Sequence, residues 1–561
     1  MGQTPDLAEL TAVDQRLDLW TGTVHSTFTL AGADLWVTTV VHPTRDTWAV
    51  RVRSTAPVQL TLRFPYGSEA WGNAADWDHP ERHTSILRHD DDRWAVDRVL
   101  DGDLAGGHRV ALTLDGELSV EQVGPHAVRI DAGREVDVAL THLRATATDP
   151  GETSFATCLA AATEHWPRFW TTGGAVELLA ADPRAAEIER RTVLSTYLTA
   201  VNCAGSLPPQ ETGLMVNSWR GRFHLEMHWW HAAHFPVWGR PELLDASLSW
   251  YAKAQPLAEQ TAGDQGLAGA RWPKQVGPDG RESPSDIGPF LIWQQPHPIH
   301  LAELCYRASA DESEQLATLH RWEEVVTSTA EFMASFASRG PDGYGLGPPV
   351  IPAQESYGAI RAEVHDPTFE LAYWQWALRT ALAWQARLGR SQSAHWREVA
   401  ERLVTPTVVD GRYAAHAHRR GTAEPYTGRT DHPSMVCALG VVPTTDLIDP
   451  AVMSATLDDV LADWDWPSTW GWDYPALAMC ATRLGRPDLA VDALLMGRGK
   501  NTHLVNGHNR QTDALPVYLP GNGGLLIAVA LMAAGWDGSE PAPGFPADWT
   551  VRCEGVHPLP G

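Results

Sequence analysis

The chain has 561 residues, with 43 Lys and Arg against 69 Asp and Glu, a formal net charge of -26 at neutral pH. Such a charge repels a phosphate backbone and no Lys/Arg cluster is dense enough to offset it, so nucleic acid is excluded as a partner. Hydrophobic residues at 43% and charged residues at 20% exclude a disordered chain. The length fits a large barrel plus one smaller domain.

The six cysteines, Cys158, Cys203, Cys305, Cys437, Cys480 and Cys553, form no CxxC and no short metal-ligand spacing. Neither a zinc site nor a disulfide framework is indicated. The start lacks a basic segment followed by an apolar one, and nowhere is there an apolar run of about 18 residues. The expectation is a cytoplasmic protein with no membrane partner, no cofactor and no bound metal; homo-oligomerisation is left open. The 26 tryptophans offer flat apolar faces that match the C–H faces of sugars, although any single one serves equally well as core filler.

In chain order, residues 20–145 alternate with period two, as in STFTLAGADLWVTTVV and HRVALTLDGELSVEQV, with Gly, Asp and Pro between the runs. This predicts an antiparallel β-sandwich over residues 1–165. A short helical stretch and the turn TTGG place a linker at 166–183. From 184 to 561 the period becomes helical, and about a dozen segments follow at spacings near 30 residues, as six helical hairpins need. The segments share architecture and not sequence, which favours a closed toroid over a repeat solenoid. The fold expected is therefore mostly α with an N-terminal β domain, an (α/α)6 toroid preceded by an antiparallel β-sandwich.

Four polar stretches interrupt the helical part. The first, NSWRGRFHLEMHWWHAAHF, interleaves Arg222, His224, Glu226 and His228 with Trp219 and Trp229 at a helix start. His224 and His228 stand at i, i+4 as two metal ligands would, but the order is HxExH. Glu226 lies about 200° around the helix from His224, off the histidine face. In the second, Trp272, Lys274, Trp293, Gln294, Gln295 and His297 supply faces, donors and acceptors of the kind that read vicinal hydroxyls; polar helix caps are the alternative. The third, IPAQESYGAIRAEVHDPTFELAYW, carries Glu355 on a Pro-framed loop among apolar residues, an environment that favours a protonated carboxyl able to act as general acid. The fourth carries His432 in TDHPSMV, Asp473 opening a helix in WGWDYPAL, and Asp513 in NRQTDAL. A helix N-terminus keeps a carboxylate ionised, which suits Asp473 to a base or to a plain N-cap.

Together these stretches resemble the six-hairpin glycosidases, above all glycoside hydrolase family 95, the α-L-fucosidase family, and more distantly family 65. FHLEMHWW is similar to NINTEMNYW, HPSMVCALGVVP to HRHLSHLYGLYP, and YLPGNGGLLIAVA to IDGNFGGTAGIAE, while IPAQESY with HDPTFELAYW looks like the segment that holds the general acid. The resemblance implies Glu355 as that acid. The two asparagines that position water in family 95 fall on Arg222 and His224, and the aspartate that polarises that water falls on Pro520. The base must therefore be another carboxylate: Asp473 first, with Glu226 and Asp513 behind it.

The function expected is an exo-acting, inverting glycoside hydrolase on a small carbohydrate, with Trp219, Arg222, His224, Glu226, His228, Trp229, Trp272, Lys274, Gln294, Gln295, His297 and His432 around the substrate. An inverting phosphorylase, with phosphate held by Arg222 and Lys274, is the first alternative. A non-catalytic sugar-binding protein on the same fold is the second.

Overall fold

The computed structural model describes residues 5–90, 93–102, 107–144, 151, 153–417 and 428–561. The chain divides into two compact units, Met1–Thr172 and Gly173–Gly561.

The first unit holds an eight-stranded antiparallel sheet. Its strands run in the order Thr11–Asp18, Thr23–Leu30, Ala33–Val41, Thr47–Ser54, Glu135–Arg144, His108–Asp115, Arg93–Leu100 and His83–Asp90. A second sheet of three strands is ordered Leu118–Gly124, Ala127–Ala132, Val58–Arg63. Alternate residues of both sheets, among them Val52, Val96, Val110, Val128, Ile130 and Val138, enter one buried cluster, as the period-two pattern requires.

Helix α1, Phe155–Thr172, also belongs to this unit. It buries Phe155, Cys158, Ala162, Trp166 and Phe169, a stripe at helical spacing. The boundary expected at residue 165 therefore falls inside a continuous helix, because the apolar stripe runs on through Trp166 and Phe169. The presumed linker 166–183 is the end of α1 followed by a strand, Ala175–Leu179, which pairs antiparallel with Thr550–Glu554 near the other end of the chain.

The second unit contains α2 (Pro183–Cys203), α3 (Leu225–Ala232), α4 (His234–Val237), α5 (Pro241–Asp264), α6 (His297–Ala308), α7 (Glu312–Phe336), α8 (Thr368–Arg387), α9 (Ala394–Glu401), α10 (Pro450–Ala462), α11 (Asp473–Arg483), α12 (Pro487–Leu494) and α13 (Leu519–Ala534). Several starts follow from local chemistry: Asp182, Asp311 and Asp449 each accept a backbone N–H of the first turn, and Pro183 and Pro450 stand at the first helical position. The stretch SMVCALGVV forms only a short 3-10 turn at Ser434–Ala438, since Pro433 and Gly440 bracket too few residues. The segment HLEMHWWHAAHF divides into α3 and α4.

Helix α13 is apolar all round and buried from Leu519 to Ala533. It packs against α2, α3 and α11. A Cβ on Gly523 would lie 1.9 Å from the Trp230 carbonyl oxygen, so only glycine lets α13 approach α3 this closely. The last helix of the unit thus seats on its first ones.

Candidate active site

The strand-like pair Phe223–His224 and Gln275–Val276 brings the first polar stretch against the second. Leu225 donates its N–H to the Lys274 carbonyl at 2.8 Å, and α3 begins there. Glu226, 1% exposed, enters the interior on the first turn. Lys274 reaches between two carboxylates: its Nζ stands 3.5 Å from Glu226 Oε1 and donates directly to Glu355 Oε1. The neighbour of Glu355 is thus a cation and not the apolar wall expected, because the loop before Gln275 carries Lys274 across to it.

Glu355 opens a 3-10 turn that runs to Ile360, and its side chain is 28% exposed. The backbone on both sides is fixed. Ala353 N–H donates to Glu370 Oε1 at 2.8 Å, the Gln354 amide donates to the carbonyls of Gly428 and Thr430 at 2.9 and 2.7 Å, and Ser356 N–H donates to Asp431 Oδ2 at 3.1 Å. Glu370 lies on an otherwise apolar face of α8, where burial pushes its carboxyl up to about 8.

Asp431 leads to the fourth stretch. His432 Nε2 is 3.5 Å from Asp431 Oδ1, and its Nδ1 is 3.0 Å from both oxygens of Asp473. Asp473 is 1% exposed and also accepts the Trp470 N–H at 2.7 Å. The His432 ring stacks on Trp472 at 4.1 Å. Burial opposes a charge on His432, but Asp473, Asp431 and Glu355 outweigh it and its pKa is pushed up to about 9. Burial likewise raises the Glu226 carboxyl to about 7, against the pull of Lys274. Glu211 is raised well above the usual carboxylate range, by burial first and then by Glu226. Glu211, Glu226, Lys274, Glu355, Asp431, His432 and Asp473 act on one another through these fields and form one charged cluster.

Several expected site residues stand elsewhere. His228 binds Ser247 Oγ at 2.9 Å and Tyr251 OH at 3.2 Å, both on α5, whereas His224 faces the Gln275 amide at 2.6 Å. The two histidines therefore do not converge. His297 binds the Glu226 carbonyl and Tyr373 OH, each at 3.0 Å. Gln294 and Gln295 hold backbone: their amides donate to the Trp272 and Ala270 carbonyls at 3.1 and 2.7 Å, and Gln295 Oε1 accepts the Trp272 N–H. Trp229, Trp272 and Trp293 are 2% exposed or less and pack on Trp230, Tyr251 and Trp472. They are core, not exposed faces. Trp219 is half-buried and lies 5.3 Å from His224, and Arg222 is half-buried beside Gly277. Asp513 is almost fully exposed and paired with Arg510, too solvated for a buried base.

Glu211, Gln354, Glu370, Asp431 and Trp470 were not singled out in the sequence. Glu370 carried a signal, a carboxylate between Phe369 and Leu371 on an apolar helix, and Asp431 adjoins His432. Glu211, in the stretch PPQETG, carried none.

No protein-family profile and no curated protein matches the chain. Among solved structures it is similar to the "Putative kojibiose phosphorylase from human microbiome", with 10% identity, a TM-score of 0.69, and coverage of 94% of this chain and 76% of that one. It is also similar to a bacterial glucoamylase complexed with acarbose, with 11% identity, a TM-score of 0.58, and coverage of 94% and 85%. At these identities the likeness is one of fold alone, and it gives no preference for family 95.

Proposed function

We propose that the chain is an exo-acting, inverting glycoside hydrolase built on an (α/α)6 toroid, with Glu355 as general acid and Asp473 as the base that activates water. The observation that carries this reading is the placement of both carboxylates in one charged cluster, joined through Asp431 and His432. The two fold neighbours, the "Putative kojibiose phosphorylase" and the glucoamylase complexed with acarbose, agree with a carbohydrate substrate.

Charge and spacing divide the roles. Glu226 and Glu355 both reach one ammonium, so they lie too close to admit a water between them, for which inverting pairs keep about 6.5–9.5 Å. Of the other carboxylates, burial raises Glu211 and Asp431 and disfavours their charged forms. Asp473 is held by His432 and by the Trp470 N–H in an orientation that accepts a proton from water. For Glu355 to carry the proton it donates, the Lys274 ammonium must shift its contact to Glu226. Lys274 thereby acts as a positioning residue, and phosphate loses one of the two cations assigned to it from the sequence.

A panel of aryl α- and β-glycosides and natural disaccharides, assayed without phosphate and read by NMR for the product anomer, tests the reading. Release of the sugar with inverted configuration is expected. Turnover only with added phosphate, or with retained configuration, would overturn it.

A further inference from the structure

A cavity of about 530 Å³ opens between the Trp466–Pro467 turn and the segments 497–500 and 510–513, with Asp513 at its wall. Its wall includes Trp466, Arg498, Lys500, Arg510 and Gln511. Three cations gathered in one cavity are unusual in a chain with net charge -26 and three lysines. Two of them meet aromatic rings and not carboxylates: the Arg498 guanidinium lies 5.5 Å from the centre of the Trp466 ring, and Lys500 Nζ lies 4.8 Å from that of Trp470. Among the described residues neither forms an ion pair. Among the described residues the Arg510 guanidinium pairs with Asp513, whose side chain is 97% exposed and so a weak, solvated counter-charge.

The cavity adjoins the proposed catalytic cluster through Trp470 and Gln511. Trp470 carries Lys500 on its ring while its N–H holds Asp473, and Gln511 Oε1 accepts the Gly471 N–H at 3.0 Å. Burial draws Lys500 below the usual lysine range, with Asp473 acting against it, so this ammonium has given up water without gaining a full counter-charge. An oxyanion would supply one, and a guanidinium beside an ammonium is the donor set that carboxylates and phosphates take.

We infer that Arg498, Lys500 and Arg510 form an anion subsite for a glycoside whose leaving group carries a carboxylate or phosphate. The inference rests on the glycosidase reading for its role, though not for binding. When the anion is part of the leaving group, water supplies the new oxygen on the anomeric carbon, Asp473 takes its proton, and Glu355 protonates the departing oxygen.

Calorimetric titration of the full chain with inorganic phosphate tests binding without any need for turnover. Arg498→Ala and Lys500→Gln should each weaken it by about tenfold, while Arg552→Ala, at an exposed remote pair, should leave it unchanged. Paired aryl glycosides whose leaving groups differ only as carboxylate or methyl ester should show a preference for the carboxylate in kcat/KM, removed by Arg498→Ala. Glycosyl phosphate detected by ³¹P NMR would make the bound anion a nucleophile and overturn its assignment to the leaving group. An enzyme that cleaves glycosides but neither binds phosphate nor prefers the carboxylate overturns the subsite alone. One that binds phosphate through Arg498 and Lys500 yet cleaves no glycoside overturns the glycosidase reading and keeps the subsite.

Discussion

Two polar regions of the helical unit look alike in the sequence and differ in the structure. Behind α3 lies a neutral network, in which His228, His297 and Gln295 hydrogen-bond to Ser247, Tyr251, Tyr373 and backbone. In front of it lies the charged cluster, where Glu226 Oε2 and Glu211 Oε2 have no hydrogen-bond partner among the described residues. Burial drives the first region to neutrality: His228 and His297 are lowered to about 3 and stay uncharged. The second keeps charge inside at the cost of desolvation, which a fold tolerates where the charge has a task. His228, His297, Trp229 and Trp272 thus serve a buried network, and the roles proposed above fall to carboxylates of the charged cluster.

The comparison breaks most sharply at Glu355. Glu355→Gln keeps the shape and removes the proton, so kcat on natural glycosides should fall by roughly 10²–10⁴-fold. Glycosides with an acidic leaving group such as nitrophenol should lose far less, since they depart without protonation. Equal rates on both substrate types in variant and wild type would remove Glu355 from the reaction. Asp473→Asn should cost about 10²-fold or more in kcat, and added azide, which can attack in place of activated water, should restore part of it as a glycosyl azide. Failure of any anion to rescue, with binding intact, would move the base elsewhere in the cluster.

The division into a β region and a helical region was legible because the repeat of apolar residues changes from two to 3.6 near residue 183, and burial follows that repeat in both units. The boundary was not, since Trp166 and Phe169 continue a helix whose packing no local pattern announces. Glu226 and Lys274 stood out as polar residues beside aromatics, Asp473 as a carboxylate opening a helix, and Glu355 through its loop and the family resemblance; the structure brings them together with His432. The same signal also gathered His228, Gln294, Gln295 and His297, because spacing along the chain does not say whether a side chain meets a backbone carbonyl or a bare carboxylate.

The neutral network should behave in the opposite way to the cluster. His228→Phe removes partners from Ser247 and Tyr251 and should lower stability by about 1–3 kcal/mol. Per folded molecule, kcat/KM should stay within about threefold of wild type. Urea unfolding and active-site-normalised kinetics separate the two quantities. A large loss of turnover at unchanged stability would place His228 with the chemistry.

The smallest expected effect tests whether charge in the cluster is held against burial. Glu226 is raised from 4.5 to about 7, chiefly by burial, so between those values the folded chain binds a proton that the unfolded chain has released. Unfolding free energy contributed by this group is therefore greatest at acidic pH, falls as pH rises through that window, and levels off above it. His432, raised to about 9, adds a loss of the same sign at higher pH, and Glu370, raised to about 8, another that begins in the same range. The wild-type profile sums these slopes, and only a difference against Glu226→Gln isolates one group. Glutamine does not titrate, so the variant should gain stability relative to wild type as pH rises from about 5 to 7, by roughly 1–3 kcal/mol, read as a difference in melting temperature across that range. A difference curve flat over the window would mean that Lys274 keeps Glu226 ionised throughout. The ammonium would then be shared between two anions, and it could not pass from Glu355 to Glu226 without leaving one of them uncompensated.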